Sequence, residues 1–291
     1  MTYTPLNLFA YVNDSENPIR RIPLSDDLQT EITRYFLGLK DGFYNGEEKI
    51  DFDGNYNVDA GEIFRIINYP LPDVFINAIQ NPLQHNFLNL ENEGNKIKFL
   101  FSGRWNNSSK FICFQSFDRR KLLSRGTFAI INMANTYKRL AEPGLILQDR
   151  LTVLIIDNEL LFYSYHNAKR ILDLSDYYRE ATDGELSNFA SNSLFEITNI
   201  DNFKANADSI IRKKIALIQK NRILESTTFE EITSIAAEYE IEFETNNNKI
   251  VIPEDKKKLK DFICFLDEDY FTAPITRRKC KTNSKKYMNG S

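Results

Sequence analysis

The run LNLFAYV, Leu6 to Val12, is apolar over the length of a strand and gives way to the loop chemistry of NDSENP, so the pattern predicts that a strand opens the fold. In SDDLQTEITRYFLGLKDG the apolar period changes to that of a helix. Leu28, Ile32, Tyr35, Phe36 and Leu39 fall on one face, Ser25 is placed to cap the start, Asp26 and Asp27 suit the positive end of the dipole, and Gly42 is expected just past the end. The stretch KIDFDGNYNVDAGEIFRIINYPLP reads as strand, loop and strand, with Asp53-Gly54 and Ala60-Gly61 as turn signals. PDVFINAIQNP is a short helix bracketed by Pro72 and Pro82, and KIKFLFSGRWNNSSKFICFQSF is a hairpin. LTVLIIDNELLFYSY, from Leu151 to Tyr165, gives two apolar runs around Asp157-Asn158, a central hairpin in a sheet covered on both faces. LDLSDYYREATDGELSNFA is expected to be mostly helical, with Ser175 as its cap.

After about residue 193 the texture changes. FEITNIDNFKANADSIIRKKIALIQKNRILES predicts a short strand and then a helix with Ile210, Ile211, Ile215 and Ile218 apolar; its other face carries Arg212, Lys213, Lys214, Lys220 and Arg222. TTFEEITSIAAEYE starts from a Thr cap with Glu230 and Glu231 in its first turn, IEFETNNNKIVIP is a hairpin, and EDKKKLKDFICFLDED is a further helix. This order of helix, helix, hairpin and helix is compatible with a winged-helix unit. The fold class expected is α+β, a mixed β-sheet with flanking helices and a smaller helical and hairpin C-terminal module. The domains are read as 1–192 and 193–291, with a soft boundary.

At 291 residues and 42% hydrophobic content the chain is long and apolar enough to bury one large core or two moderate ones. No uninterrupted apolar run spans a bilayer, and the start, MTYTPLNLFAYVNDSENP, lacks the order of a signal peptide, so a cytoplasmic protein is expected. Cys113, Cys264 and Cys280 are too far apart for a CxxC clamp, and Cys113 and Cys264 sit in apolar runs as packing residues. None of the 11 glycines falls in a phosphate-cradle motif, and the 2 histidines, His85 and His166, exclude HExxH. No cofactor is implied, and no catalytic constellation emerges.

Two acidic groups are candidate metal sites. Asp51, Asp53, Asp59 and Glu62, with Glu47 and Lys49 nearby, could supply a Mg²⁺-dependent nuclease, the alternative being solvated turns between strands. Asp267, Glu268 and Asp269 are expected to point in different directions from a helix end and to offset the basic tail rather than share one ion.

Charge separates along the chain. The formal net charge is −4, yet Ala273 to Met288 carries six Lys or Arg and no acid. Lysine and arginine at such density neutralise phosphates and release counterions, and neighbouring Ser, Thr and Asn hydrogen-bond phosphate oxygens. In TRRKCKTNSKKY, Arg277 and Arg278 suit bidentate phosphate contacts, Lys279, Lys281, Lys285 and Lys286 suit mobile point charges, and Tyr287 suits stacking on a single strand. A solvated tail is the plain alternative. Further patches are the helix face with Arg212, Lys213 and Lys214, and the segment with Arg119, Arg120, Lys121 and Arg125.

The segments FLDEDYFTAPIT followed by NSKKYM, KIVIP before the last helix, LTVLIIDNELLFYSY, IPLSDDLQTEI and FDGNYNVDAGEIF together resemble the KwaB-like family, formerly a domain of unknown function and named after the B subunit of the Kiwa anti-phage defence system. The resemblance implies a cytoplasmic defence protein that dimerises, associates with a small integral membrane partner, reaches the inner membrane through it, and contacts phage DNA. With the charge argument, the expectation is a non-enzymatic effector that binds DNA without strong sequence preference. A nuclease around Asp53 and Glu62, or a basic tail that contacts the membrane partner or anionic lipid, are the alternatives.

Overall fold

A computed structural model describes residues 4–43, 46–123, 130–133, 136–139 and 143–286. The chain forms two compact units, one of residues 1–51 and 58–173, the other of residues 52–57 and 174–291. A large mixed sheet with flanking helices and several smaller sheets make this an α+β fold.

The first unit is built on eight strands, β1 (Leu8–Val12), β2 (Ile19–Arg21), β3 (Glu48–Asp51), β4 (Glu62–Ile67), β5 (Ile97–Asn106), β6 (Ser109–Ser116), β11 (Val153–Ile156) and β12 (Glu159–Phe162), in the order β2-β1-β5-β6-β11-β12-β4-β3. The predicted hairpins β5–β6 and β11–β12 lie at its centre. Asn106 closes the first by accepting the amides of Ser108 and Ser109 at 3.0 and 2.9 Å, an Asx turn that fixes the register. Two ribbons, β7 (Leu122–Leu123) with β10 (Gly144–Leu145) and β8 (Ile130–Met133) with β9 (Thr136–Arg139), also belong to this unit.

The central strands are apolar without alternation because both faces of the sheet are covered. Helix α1 (Asp26–Phe43) sets Ile32 and Phe36 against Leu8, Ala10, Leu100, Cys113, Leu154 and Leu161 on one face. Helix α2 (Asp73–Gln80) places Phe75 on the other face, with its ring 5.3 Å from Phe101 and 5.4 Å from Phe114. Edge-to-face packing of this kind adds about 1 kcal/mol beyond the burial of area. Short helices α3 (Leu90–Glu93) and α4 (Tyr165–Ala168) also belong to the unit.

The strand, loop and strand expected over KIDFDGNYNVDAGEIFRIINYPLP are β3, residues 52–61 and β4, and the two strands are parallel neighbours. Two local expectations are corrected. Gly42 lies inside α1, which runs on to Phe43. The stretch after Leu172 is mostly turn; its helix, α5 (Asp183–Ala190), starts from Thr182 and not from Ser175. Thr182 takes the amide of Glu185 while the Glu185 carboxylate takes the amide of Thr182, a capping box.

The second unit has its own core, in which Phe189, Ile211, Ile215, Ile250, Leu259 and Phe262 are buried. The helix expected after residue 200 is two, α6 (Ile200–Asn206) and α7 (Ser209–Lys220), since Asp208 leaves the helix and caps the next one through the amides of Ile210 and Ile211. Helix α8 (Phe229–Glu238) starts from a Thr228–Glu231 capping box, and α9 (Lys256–Leu266) from Asp255. The expected hairpin is β14 (Thr245–Asn246) with β15 (Lys249–Val251); β15 also pairs in parallel with β13 (Phe195–Glu196). Among the described residues no helix is long and apolar enough to cross a membrane.

Candidate functional site

The basic C-terminal run is the loop and return strand of a hairpin. Strand β16 (Tyr270–Thr272) pairs antiparallel with β17 (Lys279–Lys281), and the loop between them is closed by Ala273 donating to the Arg278 carbonyl and Arg277 to the Ala273 carbonyl, both at 2.9 Å. Arg277 holds a left-handed φ of 55° at the turn. Arg277 and Arg278 are exposed, and neither has a carboxylate partner among the described residues. Ile275, 92% exposed, sits at the tip beside them.

The lysines of the run are engaged to different degrees. Lys279 pairs with Glu240 at 2.8 Å on the surface. Lys281 pairs with Asp261 at 2.9 Å and lies 4.9 Å above the Tyr270 ring. Burial pushes the Lys281 ammonium down, but its bonds to Tyr270 and Asp261 outweigh this and raise it above its ordinary value. Lys286 lies 5.9 Å over the Tyr56 ring.

Lys285 turns inward to a buried ion cluster. Its ammonium is 3.1 Å from Asp267 and 3.1 Å from Asp269, and Lys214 of α7 approaches the same pair at 2.7 and 2.8 Å. The sequence expectation that these acids diverge is therefore corrected, and the reason is Glu268. It takes a left-handed φ of 59°, with its amide on the Phe265 carbonyl and that of Asp269 on the Cys264 carbonyl, both at 3.0 Å. This Schellman turn reverses the chain at the end of α9 and points residues 267 and 269 to one side. Burial pushes the Asp267 carboxyl up, and the two lysines counter only part of it. Lys214 is pushed down by burial but held up on balance by Asp267 and Asp269. Burial and the nearby Asp269 push the Cys264 thiol up to about 11, which makes it a poor nucleophile at neutral pH.

Above this cluster the second unit has a cleft of about 560 Å³, lined by Lys213, Lys214, Lys260, Lys281 and Lys285 and by the Asp269 carboxylate. Two of its residues escape a reading of the sequence. Lys260 stands four residues before Cys264 and shares its face of α9, a spacing that is legible in principle. Asn55 reaches the cleft from far along the chain, where its carbonyl accepts the amide of Lys285 at 2.9 Å, and no local pattern signals this.

Arg212 is tied within its own unit, donating to Asp183 at 2.8 Å and to the carbonyls of Ala181 and Ala207, both at 3.0 Å. Arg119, Arg120 and Lys121 belong to the first unit, on a turn capped by Asp118. Arg119 and Arg120 are exposed, whereas Lys121 turns back to the Ser116 carbonyl at 2.8 Å. Arg125 and Tyr287 lie outside the described residues. Asp51 pairs with Arg65 at 2.7 Å, Asp53 accepts the Asn55 amide at 2.8 Å, Glu62 accepts the Asp59 amide at 2.9 Å, and Lys49 pairs with Glu159 at 2.6 Å. Among the described residues no group of three or more His, Cys, Asp or Glu is placed to hold a metal ion.

Compared with known proteins, residues 94–276 match the family described as Kiwa protein KwaB-like, more than half of the chain. The segments IPLSDDLQTEI, FDGNYNVDAGEIF and NSKKYM lie outside the matched span. No curated protein and no solved structure matches the chain.

Proposed function

The chain belongs to the Kiwa protein KwaB-like family, and on that premise we propose that it binds phage DNA through its backbone phosphates, without strong sequence preference. Membership makes it a participant in Kiwa anti-phage defence, acting in a multi-protein complex. The finer reading is of a cytoplasmic homodimer that meets a small integral membrane partner and engages DNA there. It draws on the family resemblance and on charge.

The observation that carries the DNA reading is the exposed Arg277–Arg278 turn, free of carboxylate partners among the described residues and followed by the lysines of β17. A guanidinium in water keeps its charge and its fork of donors, which match phosphate oxygens. Lys214 and Lys285 contribute differently, because two buried carboxylates already hold their ammoniums. The strongest phosphate contacts are therefore assigned to Arg277 and Arg278, with Lys279, Lys281 and Lys286 as supplementary charges.

The test is a salt titration of duplex binding. The Arg277→Ala/Arg278→Ala variant is expected to bind several-fold more weakly, and to flatten the dependence of log affinity on log salt by about one unit for each phosphate no longer neutralised. An unchanged affinity and slope removes the assignment.

A further inference from the structure

The lysine-lined cleft holds more positive charge than its acids neutralise. Lys214 and Lys285 share Asp267 and Asp269, and Lys281 takes Asp261, whereas Lys213 and Lys260 have no carboxylate partner among the described residues. Two ammoniums on concave walls of low dielectric concentrate a positive field within the cleft. Lysine presents that field as point charges with rotatable donors, which suits a phosphate group with several acceptor oxygens.

A second observation is independent of charge. Asn55 lines the cleft and is 6% exposed, and its side-chain Nδ2 is buried without a hydrogen-bond partner. An amide left unpaired in a buried place costs about 1–3 kcal/mol, so this nitrogen is a donor that an acceptor brought into the cleft would satisfy. The wall around Asn55 is also set by its neighbour: Gly54 has φ +87°, and a Cβ there would stand 2.5 Å from the Tyr178 ring. That ring in turn lies 5.5 Å beneath the Lys213 ammonium. Gly54, Tyr178 and Lys213 therefore stand side by side along this wall. The volume of the cleft, about 560 Å³, is within the usual range for a ligand of nucleotide size.

We propose that this cleft is a binding site for a phosphate monoester, carried either by a mononucleotide or by the 5′ end of a DNA strand, with Lys213 and Lys260 as its charge contacts and the Asn55 amide as a neutral donor. It shares Lys281 with the Arg277–Arg278 surface but differs in its charge contacts and in ligand chemistry: the surface neutralises diester phosphates along a duplex, whereas the cleft selects a terminal dianion. Only its strand-end form rests on the DNA reading.

Calorimetric titration of the full chain with dAMP, and with deoxyadenosine as the uncharged control, tests it. Binding of dAMP at least about tenfold tighter than deoxyadenosine is expected, with a loss of about tenfold or more in Lys213→Ala/Lys260→Ala and in the single variant Lys260→Glu, each checked for an unchanged melting curve. Competition with dAMP by a 5′-phosphorylated duplex but not by its 5′-hydroxyl twin identifies the strand end as the source; competition by neither identifies the free nucleotide. Absence of dAMP binding together with equal binding of the two duplexes overturns the site, as does dAMP binding unaffected by both variants. Retained dAMP binding without any duplex binding keeps the cleft and removes the DNA reading instead.

Discussion

Lys214, Lys285, Asp267 and Asp269 keep side-chain exposures of 15, 11, 1 and 2%, so the energetics of their cluster follow from burial more than from attraction. Desolvating each ion costs several kcal/mol, and the cluster is tolerable because two positive and two negative charges meet with short hydrogen bonds. Removing one member leaves the others uncompensated. Lys214→Ala is expected to lower unfolding stability by about 3–5 kcal/mol, measured as a urea midpoint, whereas Lys279→Ala, whose pair with Glu240 is largely exposed, should change it by less than about 1 kcal/mol. Comparable losses in the two variants would contradict this division. The same contrast separates the lysines of the basic run by role, which their uniform appearance in TRRKCKTNSKKY conceals. Sequence shows how many charges a run contains; which of them meet an acid depends on the left-handed turn at Glu268, a residue type that rarely signals one.

At the scale of elements, what is legible in the sequence is what short-range chemistry dictates. The central hairpins follow from apolar runs around Asn106 and Asp157, and α8 from its Thr228–Glu231 box. Errors arise where a local signal has a rival nearby. Ser175 and Thr182 are both acceptable caps, but only Thr182 has Glu three residues on. The continuous apolar spacing across Phe203 and Ile211 hides the Asp208 cap that divides α6 from α7. The α5 cap also has a pH signature. Arg179 and the Thr182 amide hold the Glu185 carboxyl down to about 2. A folded pKa below the unfolded value means that ionised Glu185 stabilises the fold above the ordinary Glu range, and that this contribution is lost as pH falls toward 2. Glu185→Gln is expected to cost about 1 kcal/mol at pH 7, the usual size of a cap. Urea midpoints of the two proteins should then converge near pH 2; a constant gap across that range would assign the cost to packing instead of charge.

At the scale of the whole molecule, the path of the chain decides what can be read and what can be tested. Residues 52–57 leave the first unit between β3 and β4 and are counted with the second, so the part of the candidate cleft's wall at Gly54 and Asn55 is encoded far ahead of the rest. Within the second unit that segment seats the basic tail: the Lys285 amide donates to the Asn55 carbonyl at 2.9 Å, the Asn57 amide to Ser284 Oγ at 3.1 Å, and Phe52 meets the Tyr178 ring edge-on at 6.2 Å. The core formed by Ile211, Ile250 and Phe262 is made of other residues. Seating of the tail and folding of the core should therefore be separable in the intact chain. Gly54→Val puts a β-branched side chain at φ +87° and against Tyr178, a conformation that costs about 1–2 kcal/mol before any clash is counted. Hydrogen exchange is expected to speed at the Lys285 amide by about tenfold, in line with that cost, while the amide of Ile250, bonded to the Leu194 carbonyl at 2.9 Å, keeps its protection. If Ile250 loses protection to the same degree, residues 52–57 are part of one cooperative unit with the core, and the tail has no separate opening.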